Sequence, residues 1–359
     1  MTNPKISVLI PMYNRKHYIE ECVKSVLAQT FKNFEIVIVD DCSTDGSYDF
    51  VKERFARQLE SGKIRLLRNV KNSGEFPTSN RLLREARGKY LCILHSDDLY
   101  MPYALEHLHE VAEKTNADVV HGIGQFFTPH DGVFKRENLR QMLHDGNPVK
   151  EVRIVSDKPE DRFNEWILGG TFIDTQYNFF RKDFIFDNDL FFNTAGEHRL
   201  MGLCWIMRAK VFVKTPTIFY VRRDAPDSGT NERAIPPEKI AKFVASRIEL
   251  SRYLEELLPT FDYFKDNEFL IDAVRVHLFT AHDYWQIGRI GVYKNGITPE
   301  MHKAVKDAFR KYFGEDCGYM AFLFHFAHEL QYRRRIEADF SNVVPEMKGK
   351  GVEFRFGPV

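Results

Sequence analysis

The first third of the chain alternates short β-branched apolar runs with stretches whose apolar residues recur at helical spacing. Ile6 to Ile10 predicts a first strand, and His17 to Leu27 then puts Ile19, Val23, Val26 and Leu27 on one helical face. Phe34 to Val39 predicts a second buried strand, Ile64 to Leu67 a third and Tyr90 to Leu94 a fourth. Asp45-Gly46 makes a turn before a helix through Phe50 and Phe55, and Leu82 to Ala86 belongs to another helix. Each of these strands is followed by polar residues at its C-terminal end. The alternation is that of βαβ units around a mostly parallel sheet, which binds ligands in the crevice beyond the carboxyl ends of its strands.

Further along, Leu99-Tyr100-Met101-Pro102 reads as the entry to a helix that begins at Pro102 and carries Leu105, Leu108 and Val111, and Asp118 to Ile123 as one more strand. Gln125 to Arg162 is dominated by charged and loop-like residues and predicts an insertion. Phe172 to Phe192 is rich in Phe and Asp; Val211 to Arg222 predicts a last strand running into a polar loop, Arg223 to Arg233. From Pro236 the pattern changes: Ile240, Phe243, Val244, Arg247 and Ile248 open a run of helical periodicity that continues with breaks to about Ile336. A separate helical C-terminal region with a boundary near residue 235 is therefore expected.

Composition narrows the partners. Lys plus Arg and Asp plus Glu both number 51 in 359 residues, so there is no broad basic footprint and nucleic acid is excluded as a leading partner. The five cysteines (Cys22, Cys42, Cys92, Cys204, Cys317) are scattered and lack Cys-x-x-Cys spacing, which argues against a disulfide framework or a structural zinc site and for a reducing cytoplasm. Neither a signal peptide pattern nor an apolar run long enough to span a membrane is present in the sequence. The 31 Phe residues are read mainly as core, with an acceptor groove or a membrane-facing edge as the other use.

Two acidic constellations fall at predicted strand ends. Asp40-Asp41-Cys42-Ser43-Thr44-Asp45-Gly46 follows the second strand, where a carboxylate can accept the imide N–H of a pyrimidine base. The competing use is local: Asp41 and Ser43 capping a turn and the next helix. His95-Ser96-Asp97-Asp98 follows the fourth strand, and hard divalent cations such as Mg2+ or Mn2+ are held by one or two carboxylates together with substrate phosphate oxygens. Here too the local alternative is an N-cap or a solvated turn.

Taken together the motifs resemble the inverting glycosyltransferases of family 2, which have the GT-A fold. The resemblance is carried by Ile6-Ser7-Val8-Leu9-Ile10-Pro11-Met12-Tyr13-Asn14, Ser25-Val26-Leu27-Ala28-Gln29-Thr30, the Asp40-Asp41-x-Ser43-x-Asp45-Gly46 turn, Asn72-Ser73-Gly74, Asn80 and Ser96-Asp97-Asp98. It implies an α/β, Rossmann-like, mostly parallel sheet flanked by helices. The glycosyltransferase domain would be 1–234, its nucleotide-binding part about 1–125 and its acceptor part about 126–234, with a helical region at 235–359. It also implies that Pro11, Tyr13, Asn14, Asp41, Asn72, Gly74, Asn80 and Asp97 bind the nucleotide, and that Asp98 binds Mn2+ or Mg2+. Where many members have Arg before the Asn of the third motif, this chain has Ser79-Asn80, so an Arg role there is not carried over. The Gln-x-x-Arg-Trp motif and membrane helices of processive members are absent from the sequence, which implies addition of one or few sugars.

Direct displacement at an anomeric carbon needs a carboxylate to take the acceptor hydroxyl's proton. Gly196-Glu197-His198, ahead of a predicted helix from Leu200 to Arg208, resembles the family's acidic position, which makes Glu197 the expected base. Its local alternative is a first-turn acid favoured by the helix dipole. Asp174, Asp187 and Asp189 are lesser candidates, and His198 stands where the family often has Asp. Tyr220-Val221-Arg222-Arg223 resembles a loop that brings a basic residue to the diphosphate, with Arg222 and Arg223 as equal candidates.

The expected partners are a nucleotide-sugar donor, most simply a UDP-sugar, and a glycan, lipid-linked or other hydroxyl acceptor in surface polysaccharide or glycoconjugate synthesis. The helical region offers a surface for homodimerisation, acceptor capture or peripheral contact with the inner face of the membrane, where Arg333-Arg334-Arg335 is either a contact or a solvated helix face. A dinucleotide oxidoreductase or a nucleotidyltransferase would need a Gly-rich turn after the first strand, where this chain has Pro11-Met12-Tyr13-Asn14. The rival of a different class is a non-catalytic scaffold with a partner-binding tail.

Overall fold

The computed structural model describes residues 3–127, 139–141, 151–167, 175–192, 198–223, 250, 253–265, 267, 270, 271, 274 and 278. The chain divides into two compact units, Met1–Asn231 and Glu232–Val359.

The first unit is built on one sheet. Strands β1 (Ile6–Met12), β2 (Phe34–Asp40), β3 (Ile64–Arg68) and β4 (Tyr90–Ile93) are followed by β5 (Leu99–Tyr100), β6 (Val119–Phe127), β7 (Leu139–Gln141), β8 (Arg153–Ile154), β9 (Asn178–Arg181) and β10 (Phe212–Arg223). Their order along the main path is β3-β2-β1-β4-β9-β6-β10-β5, with β7 on β6 and β8 on β10. β1 pairs in parallel with β2 on one side, Met12 opposite Asp40, and with β4 on the other, Leu9 opposite Ile93. The order therefore reverses at β1. Side chains leaving the carboxyl ends of β2 and β4 straddle it at two strand spacings, roughly 10 Å.

Buried β-branched residues fill these strands because both faces of the sheet are covered: Val8, Ile10, Ile36, Ile38 and Ile64 join one cluster with Ile19, Cys22, Val23 and Val26 of α1 (Ile19–Leu27). Helices α2 (Ser47–Arg54), α3 (Ala56–Glu60), α4 (Glu75–Glu85) and α5 (Ala104–Thr115) complete the half that precedes β6. In α5, Leu105, Leu108 and Ala112 are buried, and Asn116 ends the helix in the left-handed region at φ 55°.

The end of β1 away from the crevice is pinned by a buried polar knot. Ser7 donates to Glu35 at 2.7 Å, Gly88 N–H donates to Ser7 Oγ at 2.8 Å, and Arg87 N–H donates to Glu35 at 2.8 Å. A Cβ on Gly88 would lie 2.5 Å from the Ser7 nitrogen, so this crossing needs glycine.

Three sequence expectations change. The stretch from Gln125 to Arg162 is not all loop: β7, β8 and the start of α6 (Pro159–Ile167) lie in it. Leu99-Tyr100 is a strand, antiparallel to β10, and α5 begins at Ala104. The Phe-rich stretch contains β9, which runs antiparallel between β4 and β6 and is followed by α7 (Lys182–Asp187). With Asn178, Phe179 and Phe180 all buried, β9 lacks the two-residue alternation that marks a half-exposed strand. The helix α8 (His198–Arg208) forms where it was expected. In the second unit Leu254, Leu258 and Phe264 are buried. No helix among the described residues is long and apolar enough to cross a membrane.

Candidate active site

The crevice at the strand ends begins with a stitched turn. Beyond β1, Asn14 adopts φ 52°, and its N–H donates to Ser43 Oγ at 2.9 Å while its side-chain oxygen accepts from Thr44 N–H at 2.8 Å. Arg15 N–H donates to Ser47 Oγ at 2.9 Å and Lys16 N–H to Asp45 at 3.0 Å. The β1 and β2 turns are thereby fixed against each other, and Tyr13 is left 42% exposed at the mouth, while Pro11 lies within β1 beside Val39.

Asp41 is 3% exposed and its carboxylate gathers a loop from 33 positions away. It accepts from Asn69 Nδ2 at 2.7 Å, Ser73 N–H at 2.9 Å and Gly74 N–H at 2.8 Å. Gly74 sits at φ 90°, which suits glycine, and Asn72 caps the same turn by accepting from Gly74 N–H at 3.1 Å. Asp41, Asn72 and Gly74 thus form one feature, in which a buried carboxylate organises the N-terminus of α4 and keeps lone-pair capacity for one further donor.

On the other side of β1, Asp97 and Asp98 follow β4 and point differently. Asp98 is 4% exposed; one oxygen accepts from the Tyr220 hydroxyl and the other from Arg223 N–H at 2.7 Å. Burial, and then the neighbouring charge of Asp97, pushes its carboxyl up to about 6. Asp97 keeps its carboxylate at the crevice, with Arg15 Nε at 3.5 Å. Tyr220 is held in turn by rings, edge-on to Tyr177 at 5.4 Å and to Tyr100 at 5.8 Å. Gly124 of β6 leaves the space that Tyr177 fills.

Two residues assigned to the nucleotide through motif resemblance have other partners here. The Asn80 amide is taken up by the backbone of Phe192, at 2.7 and 2.8 Å. The Arg223 guanidinium, 4% exposed, meets Glu21, donates to the Asp97 carbonyl at 2.9 Å and lies over the Tyr18 ring. Arg222 is half-buried at the end of β10. Glu197 and Asp174 lie outside the described residues, His198 opens α8, and Asp187 and Asp189 are exposed around the end of α7. Sequence reading assigned no role to Tyr220, Arg15, Glu21 or Asn69. Tyr220 meets Asp98 across 122 positions, Glu21 meets Arg223 across 202 and Asn69 meets Asp41 across 28, and Arg15 reaches Asp97 from the far side of three strands in sequence, so no local pattern marks these contacts.

Among the described residues no three His, Cys, Asp or Glu side chains converge on one point. Carboxylates at a strand end suit a different kind of cation site, in which one or two of them act with phosphate oxygens of a ligand and with waters.

The chain is 35% identical over 129 residues to the glycosyltransferase GlyG of Streptococcus pneumoniae, covering 36% of this chain and 42% of GlyG. It is 40% identical over 108 residues to TuaG of Bacillus subtilis, a glycosyltransferase named for teichuronic acid biosynthesis, covering 30% of this chain and 42% of TuaG. The match thus spans less than half the length of either relative. The crystal structure of S. aureus TarS 1–349 in complex with UDP-GlcNAc superposes with a TM-score of 0.63 at 20% identity, covering 99% of this chain and 94% of that one, so the fold is of the GT-A type. The family model described as glycosyl transferase family 2 matches residues 7–190, just over half of the chain. The chain belongs to glycosyl transferase family 2.

Proposed function

We propose that the chain transfers a sugar from a nucleotide-diphosphate donor, a UDP-sugar, to a hydroxyl acceptor with inversion at the anomeric carbon. The observation that carries this reading is the pair of acidic features flanking β1: Asp41 beyond β2, and Asp97 with Asp98 beyond β4. Residues 1–125 would hold the donor, with Tyr13 against the base and Asp41 accepting its imide N–H. Residues 126–234 would shape the acceptor side, and 235–359 would serve as a separate helical region for acceptor capture, dimerisation or contact with the inner face of the membrane. UDP-GlcNAc in the TarS complex and the name of TuaG support a nucleotide-sugar donor and a polysaccharide product.

Asp98, with Asp97 beside it, would hold Mn2+ or Mg2+ together with diphosphate oxygens, and that ion would supply charge neutralisation of the leaving diphosphate. Arg222 is our candidate for a cation beside the same phosphates. Arg223 we assign to positioning, since its N–H and its guanidinium fix Asp98 and the Asp97 carbonyl. Glu197 takes the acceptor hydroxyl's proton as the acceptor oxygen bonds to the anomeric carbon, and the carbon–oxygen bond to the diphosphate breaks, releasing the nucleoside diphosphate.

The test is a panel of nucleotide sugars offered to wild-type protein and to Glu197→Gln. UDP-sugar turnover should appear in the wild type alone, with UDP affinity equal in both. Turnover of Glu197→Gln at the wild-type rate removes Glu197 from the mechanism.

A further inference from the structure

Asn69 follows β3 directly, and both polar atoms of its side chain are engaged. Its backbone N–H donates to the Asp40 carbonyl at 2.8 Å, which carries the pairing of β3 with β2 past the last residue of the strand. Its Nδ2 donates to Asp41 Oδ1 at 2.7 Å and to Thr78 Oγ1 at 3.0 Å, and its Oδ1 accepts from Arg81 Nη1 at 2.6 Å. The same guanidinium nitrogen donates to the Arg68 carbonyl at 2.8 Å, so Arg81 grips the end of β3 at two adjacent residues.

Thr78 and Arg81 lie one turn apart on α4 and share a face, which closes on the Asn69 amide from both of its ends. Turned over, the amide would set its NH2 against a guanidinium and its oxygen against a carboxylate, so these neighbours admit one orientation. The consequence reaches Asp41. Its Oδ1 has two lone pairs and two donors, Asn69 Nδ2 and the Ser73 N–H, the latter at 2.9 Å. Oδ2 takes the Gly74 N–H at 2.8 Å and lies 3.1 Å from the Ser73 nitrogen, which is nearer to Oδ1, so Oδ2 is the oxygen with room for a further donor.

We propose that Arg81 is a positioning residue for base recognition: by fixing the Asn69 amide it saturates one oxygen of Asp41 and leaves the other to meet a pyrimidine imide, and it acts through Asn69 rather than by touching the nucleotide. The proposal rests on Asp41 being the acceptor of the base N–H. Uracil presents a donor at N3, whereas cytosine presents an acceptor there that a carboxylate repels. A carboxylate held in one orientation therefore separates the two bases, and its separation weakens when the hold is lost.

The experiment measures Kd for UDP and for CDP by calorimetry on wild type, Arg81→Met, Arg81→Gln, Asn69→Leu, Asp41→Asn and the double variant Asn69→Leu with Arg81→Gln. Arg81→Gln is polar and favours a helix but ends short of Asn69, so it guards against a folding failure of the methionine variant. In both Arg81 variants UDP affinity should weaken about tenfold, as for the loss of a hydrogen bond to a charged group, while CDP affinity changes less than about threefold. In the Asn69→Leu background Arg81→Gln should cause no further loss, because the amide it holds is gone. Three results would overturn the proposal: UDP affinity within about twofold of wild type in both Arg81 variants, UDP and CDP weakening equally, or losses that multiply in the double variant. Asp41→Asn with wild-type UDP affinity would instead bring down the reading of Asp41, and the proposal with it.

Discussion

Tyr220 donates its hydroxyl hydrogen to the buried carboxylate of Asp98, 122 positions earlier in the chain. The contact joins the last strand described in the first unit to the acidic motif beyond β4, so the acidic site depends on the folding of both halves of the sheet. Tyr220→Phe keeps the ring and its packing against Tyr177 and Tyr100 while removing the donor. A hydrogen bond to a charged group contributes about 1.5–3 kcal/mol, and the variant should lose stability of that order in urea denaturation. A change under about 0.5 kcal/mol, the ordinary range for a surface substitution, would mean that Asp98 does not rely on the hydroxyl.

Asp41→Asn tests the second acidic feature. The amide nitrogen cannot accept from Ser73 and Gly74, so one of their N–H groups would face another donor at the start of α4. UDP affinity should fall about ten- to a hundredfold, and the melting temperature should drop as well. Unchanged UDP binding in a variant with lowered Tm would confine Asp41 to holding the loop.

His121 gives a pH dependence away from the acidic site. It is fully buried beside Asn178, and burial, followed by the charge of Lys214, lowers its pKa from 6.5 to about 3. Between those values the unfolded chain binds a proton that the folded protein refuses. Its contribution is therefore complete above pH 6.5 and is lost as pH falls, at up to about 1.4 kcal/mol per unit. His121→Gln removes this dependence. The stability difference between wild type and variant, measured by urea denaturation, should shift against the wild type from pH 6.5 to 4.5, whereas parallel curves would contradict the assignment.

How much was legible in the sequence follows from the range of the interactions involved. Strands β1 to β4 were readable because their apolar runs are continuous and end in polar turns. The two-residue strand β5 carries no period of its own and exists because β10 pairs with it. In β9, burial on both faces erased the alternation that would have marked it. The acidic motifs were readable as strand-end carboxylates, but their partners were not: Asp98 turns toward Tyr220 and Asn80 toward Phe192, contacts of 122 and 112 positions that no local pattern encodes.

The central claim is that Asp98, across β1 from Asp41, brings a divalent ion to the diphosphate of a nucleotide donor. Calorimetric titration of UDP with and without Mn2+, on wild-type protein and Asp98→Ala, tests it most directly. The account predicts that Mn2+ tightens UDP binding to the wild type about tenfold or more and leaves binding to Asp98→Ala unchanged. Wild-type binding indifferent to Mn2+, or an Asp98→Ala variant that keeps the full enhancement, would contradict it.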